Sequence, residues 1–198
     1  MDGTALLVGL GNPGIKYALT RHNAGALLAE RLSEKAIGTP RSVWSQERKF
    51  FSEMAEVRVG EGRLLLCKPQ TFMNLSGQAV AAVCRFHRIS PEKVLVVYDD
   101  ADLPLGTLRL KPHGSSGGHH GVVSVEEHLG TKLFPRLRLG IARPDQSVRD
   151  IADHVLGNFS DEELPRFNRV LDRAERQVKS WIFDGLQKAM NLYNGLAE

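Results

Sequence analysis

Ala5-Leu6-Leu7-Val8-Gly9-Leu10-Gly11-Asn12-Pro13-Gly14 is the stretch on which the fold turns. It begins as an apolar run too short for a helix and stops at glycines. That pattern reads as a buried strand, Ala5–Gly9, entering a tight turn. Beyond the turn, Ala24, Leu27, Leu28, Arg31–Leu32 and Ile37 follow a helical period. A buried strand followed by a helix is the opening unit of an α/β domain.

The remaining chain repeats the alternation. Phe50–Val59 alternates and Arg63–Lys68 is apolar, and Gly60-Glu61-Gly62 between them predicts a hairpin. Asn74 or Ser76 is a candidate cap for a helix running to about His87, with Ala79, Val80, Val83 and Phe86 as its buried stripe. Lys93–Tyr98 reads as a second buried strand, Thr107–Lys111 as a more exposed one, and Arg136–Ile141 as another. A glycine and serine loop, Gly114–Gly118, precedes a helix from about His119 to Leu129. The tail from Asp161 to about Asn194 is helix-rich, with Leu164, Phe167, Val170, Leu171, Ala174, Val178 and Trp181 at helical spacing. The expected fold is α/β: one domain over 1–198, a three-layer sandwich with a twisted mixed β-sheet flanked by helices, and a helical C-terminal part from about 160.

Composition narrows the class. The 198 residues carry 26 Lys+Arg and 23 Asp+Glu, a net charge of +3, and are 42% hydrophobic and 25% charged. Those fractions belong to an ordinary globular protein and argue against disorder. No apolar run approaches the ~20 residues of a membrane span. Met1-Asp2-Gly3-Thr4 has no basic n-region, so no secretory signal is expected and a cytoplasmic location follows. Cys67 and Cys84 sit in apolar stretches and read as core residues rather than a disulfide framework. The mild basic excess permits a nucleic-acid partner without demanding one.

Gly9-Leu10-Gly11-Asn12-Pro13-Gly14 also matches G-x-G-x-x-G, with Glu30 near the place of a ribose-binding acid, so a dinucleotide site must be weighed. Asn12-Pro13-Gly14 is turn chemistry, however, and the helical period begins only near Arg21. The glycines therefore do not open the helix whose N-terminus a pyrophosphate needs. A strand-ending turn that presents Asn12 is the competing reading.

Several other residues admit both a structural and a chemical reading. His22 is either a surface or capping histidine or a base next to the Asn12 turn. Asp99-Asp100-Ala101-Asp102 follows a buried strand, at the strand end where open α/β sheets bind ligands. An acid there can orient a histidine and stabilise its imidazolium; the alternative is a solvated acidic turn. Asn74 and Asn12 can cap or turn the backbone, or donate an amide hydrogen bond to a substrate carbonyl. Four of the seven histidines lie between 113 and 128, which raises zinc, but no H-E-x-x-H occurs. Between Pro104 and Arg143 there are six basic residues (Arg109, Lys111, Lys132, Arg136, Arg138, Arg143) and two acids, Glu126 and Glu127, a local +4. They form either a phosphate-binding rim or a salt-bridged face. There is no G-x-S-x-G elbow and no cysteine in an electropositive loop, so a covalent nucleophile is unsupported. A His–Asp pair, two amides and a basic rim suit water attack on an activated ester attached to a polyanion.

Taken together, the motifs resemble bacterial peptidyl-tRNA hydrolase. The matching stretches are Val8–Gly14 with Tyr17, Thr20-Arg21-His22-Asn23-Ala24-Gly25, Lys68-Pro69-Gln70-Thr71-Phe72-Met73-Asn74-Leu75-Ser76-Gly77, Asp99-Asp100-Ala101-Asp102-Leu103-Pro104, Gly117-Gly118-His119, Phe134–Ile141 and the tail Val155-Leu156-Gly157. The resemblance implies a monomeric α/β enzyme that hydrolyses the ester between a peptide and the 3′ ribose of tRNA, with no metal or cofactor. It implies His22 as the base, Asp99 as its orienting acid, and Asn12 and Asn74 as holders of the peptide and the reacting carbonyl. Tyr17, Met73, His119 and His120 would line the substrate cleft, and Arg109, Lys111 and Arg138 would face tRNA. The glycine loop would gate the cleft. One departure stands out: the family motif reads Gly-Gly-His-Asn-Gly, and here His120 occupies the asparagine position. That substitution leaves a non-catalytic RNA-binding member of the same fold as the alternative.

Overall fold

A computed structural model describes residues 3–34, 42–59, 62–143 and 149–197. Among these residues eight strands form one mixed sheet in the order β2-β3-β4-β1-β5-β7-β6-β8. They are β1 (Thr4–Gly9), β2 (Ser45–Glu47), β3 (Ser52–Val59), β4 (Gly62–Pro69), β5 (Val94–Asp100), β6 (Thr107–Lys111), β7 (Arg136–Gly140) and β8 (Gly195–Leu196). The central ribbons β4–β1, β1–β5 and β5–β7 are parallel, and the flanking pairs are antiparallel. Among the described residues six helices cover the sheet: α1 (Ala24–Glu34), α2 (Ser76–His87), α3 (His120–Leu129), α4 (Arg149–Leu156), α5 (Leu164–Asp184) and α6 (Leu186–Tyr193).

Ala5–Gly9 of β1 and Val94–Tyr98 of β5, at the centre of the sheet, lack charged residues because both of their faces are buried. Ala5, Leu7, Leu95 and Val97 feed a core shared with α1 and α5, through Leu28, Leu32, Val170, Val178 and Trp181. Leu6, Val8, Val94 and Val96 feed the opposite core under α2 and α3, with Val80, Val83, Val122 and Val125. Those two cores make the three-layer α/β sandwich expected from the sequence. Truncating a fully buried strand residue such as Leu7 to Ala would cost about 2–5 kcal/mol.

Several expectations need correction. Phe86 does not join the buried stripe of α2; it is 61% exposed and packs edge-on against Phe50. Neither Asn74 nor Ser76 caps that helix with its side chain, because a 3₁₀ turn over Met73–Leu75 leads directly into α2. Leu164 lies on the open side of α5. The short edge strands β2 and β8 and the helix α4 were not expected from the sequence. Ile37 and the Gly60-Glu61 tip of the hairpin lie outside the described residues.

Candidate active site

The site assembles at the carboxyl ends of β1 and β5. Helix α1 begins there in close contact with the sheet: a Cβ on Gly25 would lie 2.2 Å from the carbonyl oxygen of Val97. Only glycine permits that approach, and it brings the preceding 3₁₀ turn, Arg21–Asn23, against the end of β5. His22 Nδ1 consequently sits 2.9 Å from Asp99 Oδ1. The neighbouring Asn23 clamps the Asn12 turn: its Oδ1 accepts the Asn12 N–H at 2.8 Å and its Nδ2 donates to the Asn12 carbonyl at 3.0 Å.

Asp99 is 3% exposed and serves two imidazoles at once. His119 Nε2 lies 3.1 Å from the same Oδ1, and His119 Nδ1 accepts the Val122 N–H at 3.3 Å, capping α3. An acceptor at Nδ1 places the His119 proton on Nε2, so both nitrogens of this ring are committed. Burial alone would raise the Asp99 carboxyl; the facing imidazoles, His119 first and then His22, outweigh it and hold the group well below the usual carboxylate range. The ionised Asp99 then fixes His22 with its proton on Nδ1, leaving Nε2 with a lone pair.

Next to this pair is a cleft of about 350 Å³ lined by Asn12, Phe72, Met73, Asn74 and His120. Asn12 Oδ1 accepts the Met73 N–H at 2.9 Å, which orients the carboxamide and leaves its NH2 as the group available to a ligand. The glycine after His120 lies close under the cleft: a Cβ on Gly121 would lie 2.4 Å from Met73 Sδ, so a larger residue there would push the Met73 side chain aside. Tyr17 is half-buried in a 3₁₀ turn beyond the Asn12 loop, with Lys16 Nζ 4.6 Å from its ring centre.

The basic residues divide. Arg136 is fully buried, bonded to Glu126 Oε1 at 3.1 Å and to the carbonyls of Ser115 and Lys132, so it is a structural residue and not part of any rim. Arg143 pairs with Asp102. Arg138 is bonded through Nε to Asp100. Arg109, opposite Arg138 in the sheet register, and Lys111 form no ion pair among the described residues.

Two other expectations are settled by local geometry. The G-x-G-x-x-G stretch runs into a loop with Gly14 at φ 101° and a 3₁₀ turn, not into a helix, and Glu30 is tied to Lys68 at 2.7 Å. That arrangement is unlike a dinucleotide cradle. His22, Asp99 and His119 bring three ligand-type atoms within 4.8 Å, the one such grouping among the described residues. A cation there would turn His119 into an imidazolate, since its other nitrogen already accepts Val122 N–H. The donor set suits proton transfer rather than metal binding. The linkage of His119 to Asp99 was not foreseen: histidine is outside the usual set of cap residues, so nothing in the sequence marks it as one.

A buried carboxylate bonded to an imidazole, with carboxamides on the adjoining cleft, is a set of groups suited to proton transfer during hydrolysis, the chemistry of a hydrolase. The profile of the peptidyl-tRNA hydrolase family matches residues 6–198, and the chain belongs to that family. It is 47% identical to a peptidyl-tRNA hydrolase of Desulfitobacterium hafniense, over 96% of this chain and 98% of that one. It is 46% identical to one of Synechococcus elongatus, over 98% and 93%. The crystal structure of peptidyl-tRNA hydrolase from Acinetobacter baumannii superposes with a TM-score of 0.90 at 35% identity, covering 98% of this chain and 95% of that one.

Proposed function

We propose that this protein hydrolyses the ester joining a peptide to the 3′ ribose of tRNA, with His22 as the general base. The observation that carries the assignment of roles is the 2.9 Å bond from His22 Nδ1 to a buried Asp99. Water attacks the ester carbonyl while His22 Nε2 takes its proton, and Asp99 stabilises the imidazolium that forms. The carbonyl oxygen becomes an oxyanion, held by the Asn74 carboxamide; one such donor is typically worth about 3–4 kcal/mol in the transition state. The NH2 of Asn12 holds the peptide. As the intermediate collapses, the ester C–O bond breaks, the proton passes from His22 to the ribose oxygen, and the peptide leaves as a carboxylic acid that gives up its remaining proton to solvent.

Met73 and Phe72 line the peptide side of the cleft, with His120 at the start of α3 in place of an amide, while Tyr17 lies beyond the Asn12 loop and outside the cleft lining. His119 acts through Asp99 rather than on the substrate, since both its nitrogens are spent. Arg109, Lys111 and the partly neutralised Arg138 meet tRNA phosphates, which supplies affinity without reading sequence. The whole chain, 1–198, works as one domain and as a monomer in the cytoplasm; among the described residues no helix is long and apolar enough to cross a membrane.

The test is cleavage of N-acetyl-aminoacyl-tRNA by wild type and His22→Ala, with free aminoacyl-tRNA as control. The expected result is cleavage of the blocked substrate alone, lost in the variant while tRNA binding survives. Equal loss of binding would make His22 a contact rather than the base.

A further inference from the structure

The tail motif Val155-Leu156-Gly157 has no place in the chemistry above, yet it touches the residue next to the base. Arg21 is 9% exposed. Its backbone N–H donates to the Gly157 carbonyl at 3.0 Å, and Thr20 bridges to Asn158. Its guanidinium donates from Nη2 to Glu163 Oε2 at 2.5 Å and from Nη1 to the His154 carbonyl at 3.2 Å, and lies 5.3 Å from the Phe159 ring centre. Glu163 is itself fixed, because the same Oε2 accepts the Ser160 N–H at 2.8 Å. Space is tight as well: a Cβ on Gly157 would lie 3.1 Å from Arg21 Nη1.

We propose that Arg21, clamped by Glu163 and the α4–α5 connector, is a positioning residue for His22, a reading that rests on His22 being the base. The two clamps are on either side of it in sequence. Asn23 locks the turn to the Asn12 loop, and Arg21 locks it to the connector. His22 sits between them in a three-residue 3₁₀ turn, too short to absorb a shift of either neighbour. A displacement of about 1 Å at a reacting group costs about 100-fold in rate. The segment around residues 154–163 therefore acts on catalysis without entering the cleft.

The experiment compares Glu163→Gln, Glu163→Ala and Arg21→Lys with wild type and His22→Ala in single-turnover cleavage of N-acetyl-aminoacyl-tRNA. Glu163→Gln keeps an oxygen for both donors and should stay within threefold of wild type. Glu163→Ala and Arg21→Lys should lose 10- to 100-fold in kcat with KM changed less than twofold. The histidine NMR signal of His22 Nδ1–H should shift or broaden in the same two variants. Unchanged kcat in folded Glu163→Ala would overturn the proposal, as would a rise in KM that accounts for the loss. If Glu163→Ala does not fold, the kcat and NMR signal of Arg21→Lys decide in the same way. If His22→Ala keeps its activity, the failure belongs to the base assignment, because then no positioning of His22 can matter.

Discussion

Replacing Asp99 by Asn separates what the carboxylate does by its shape from what it does by its charge. Both imidazoles bond the same oxygen, Oδ1, so a carbonyl oxygen in that place still accepts both N–H groups. Orientation is kept and charge is lost. In the transition state His22 becomes cationic. A unit charge pair about 4 Å apart at an effective dielectric near 20 is worth about 4 kcal/mol. At about 1.4 kcal/mol per tenfold, Asp99→Asn should lower kcat by about 1000-fold while the KM for peptidyl-tRNA stays within about threefold. The assay is single-turnover cleavage at saturating enzyme, with tRNA affinity measured separately by filter binding. A fall of less than about tenfold would show that the charge of Asp99 is not used, and that the carboxylate only orients the ring. Stability gives a second readout. The Asp99 carboxyl is depressed, so the stability it contributes is present above its ordinary value of 3.8 and is lost only as pH falls through the lower folded value. The deficit of Asp99→Asn in chemical denaturation should therefore be full at neutral pH and narrow only below about pH 4.

Three other perturbations have definite outcomes. Burial pushes the Cys67 thiol up to about 12 and the Cys84 thiol to about 11, so neither should react with an alkylating reagent at pH 8 until the protein is unfolded; rapid labelling of native protein would contradict this. Arg109→Ala and Lys111→Ala should each weaken tRNA binding and make the slope of log affinity against log salt shallower by about 1, and an unchanged slope would remove that residue from the phosphate contacts. His120→Asn should show a smaller acid-side loss of activity than wild type, because wild type carries an imidazole there in addition to that of His22 and a carboxamide gains no proton. Identical pH profiles for variant and wild type would show that His120 adds no pH dependence.

Local chemistry was legible where one residue's neighbours in sequence are also its neighbours in space. The turn at Asn12-Pro13-Gly14, the buried strands expected to end at Gly9 and Tyr98 (the second runs on to Asp100), and the placement of His22 before α1 all follow from apolar runs and glycines. The exposure of Phe86 was not legible, because helical period does not say that Phe50 and Lys49 arrive from the β2–β3 turn to meet it. Nor was the fate of the basic residues. Arg136 and Arg138 differ by two positions on one strand, and the period alone assigns them to one face. Only the arrival of Glu126 from α3 makes the first a buried ion pair, while Asp100 on β5 half-neutralises the second. Partners 10 and 38 residues away decide those roles, as Glu163 does for Arg21 at a distance of 142.

The pleat of β5 explains how adjacent acids can serve different ends. Side chains on a strand alternate between faces. Leu95, Val97 and Asp99 therefore share one face, on the side of the core under α1, and His22 arrives from that side. Val96, Tyr98 and Asp100 share the other, over the core with α3, and Asp100 meets Arg138 there. Removing either carboxylate leaves the other on the wrong face to take its place. His119 spans the division: its ring lies 4.9 Å from that of Tyr98 and bonds Asp99, while its Nδ1 caps α3. Because one ring carries both bonds, an ordered N-terminus of α3 and a correctly held Asp99 carboxylate become a single requirement. With His22 as the proposed base, the glycine-rich loop that leads into His119 acts on it through Asp99 without touching substrate.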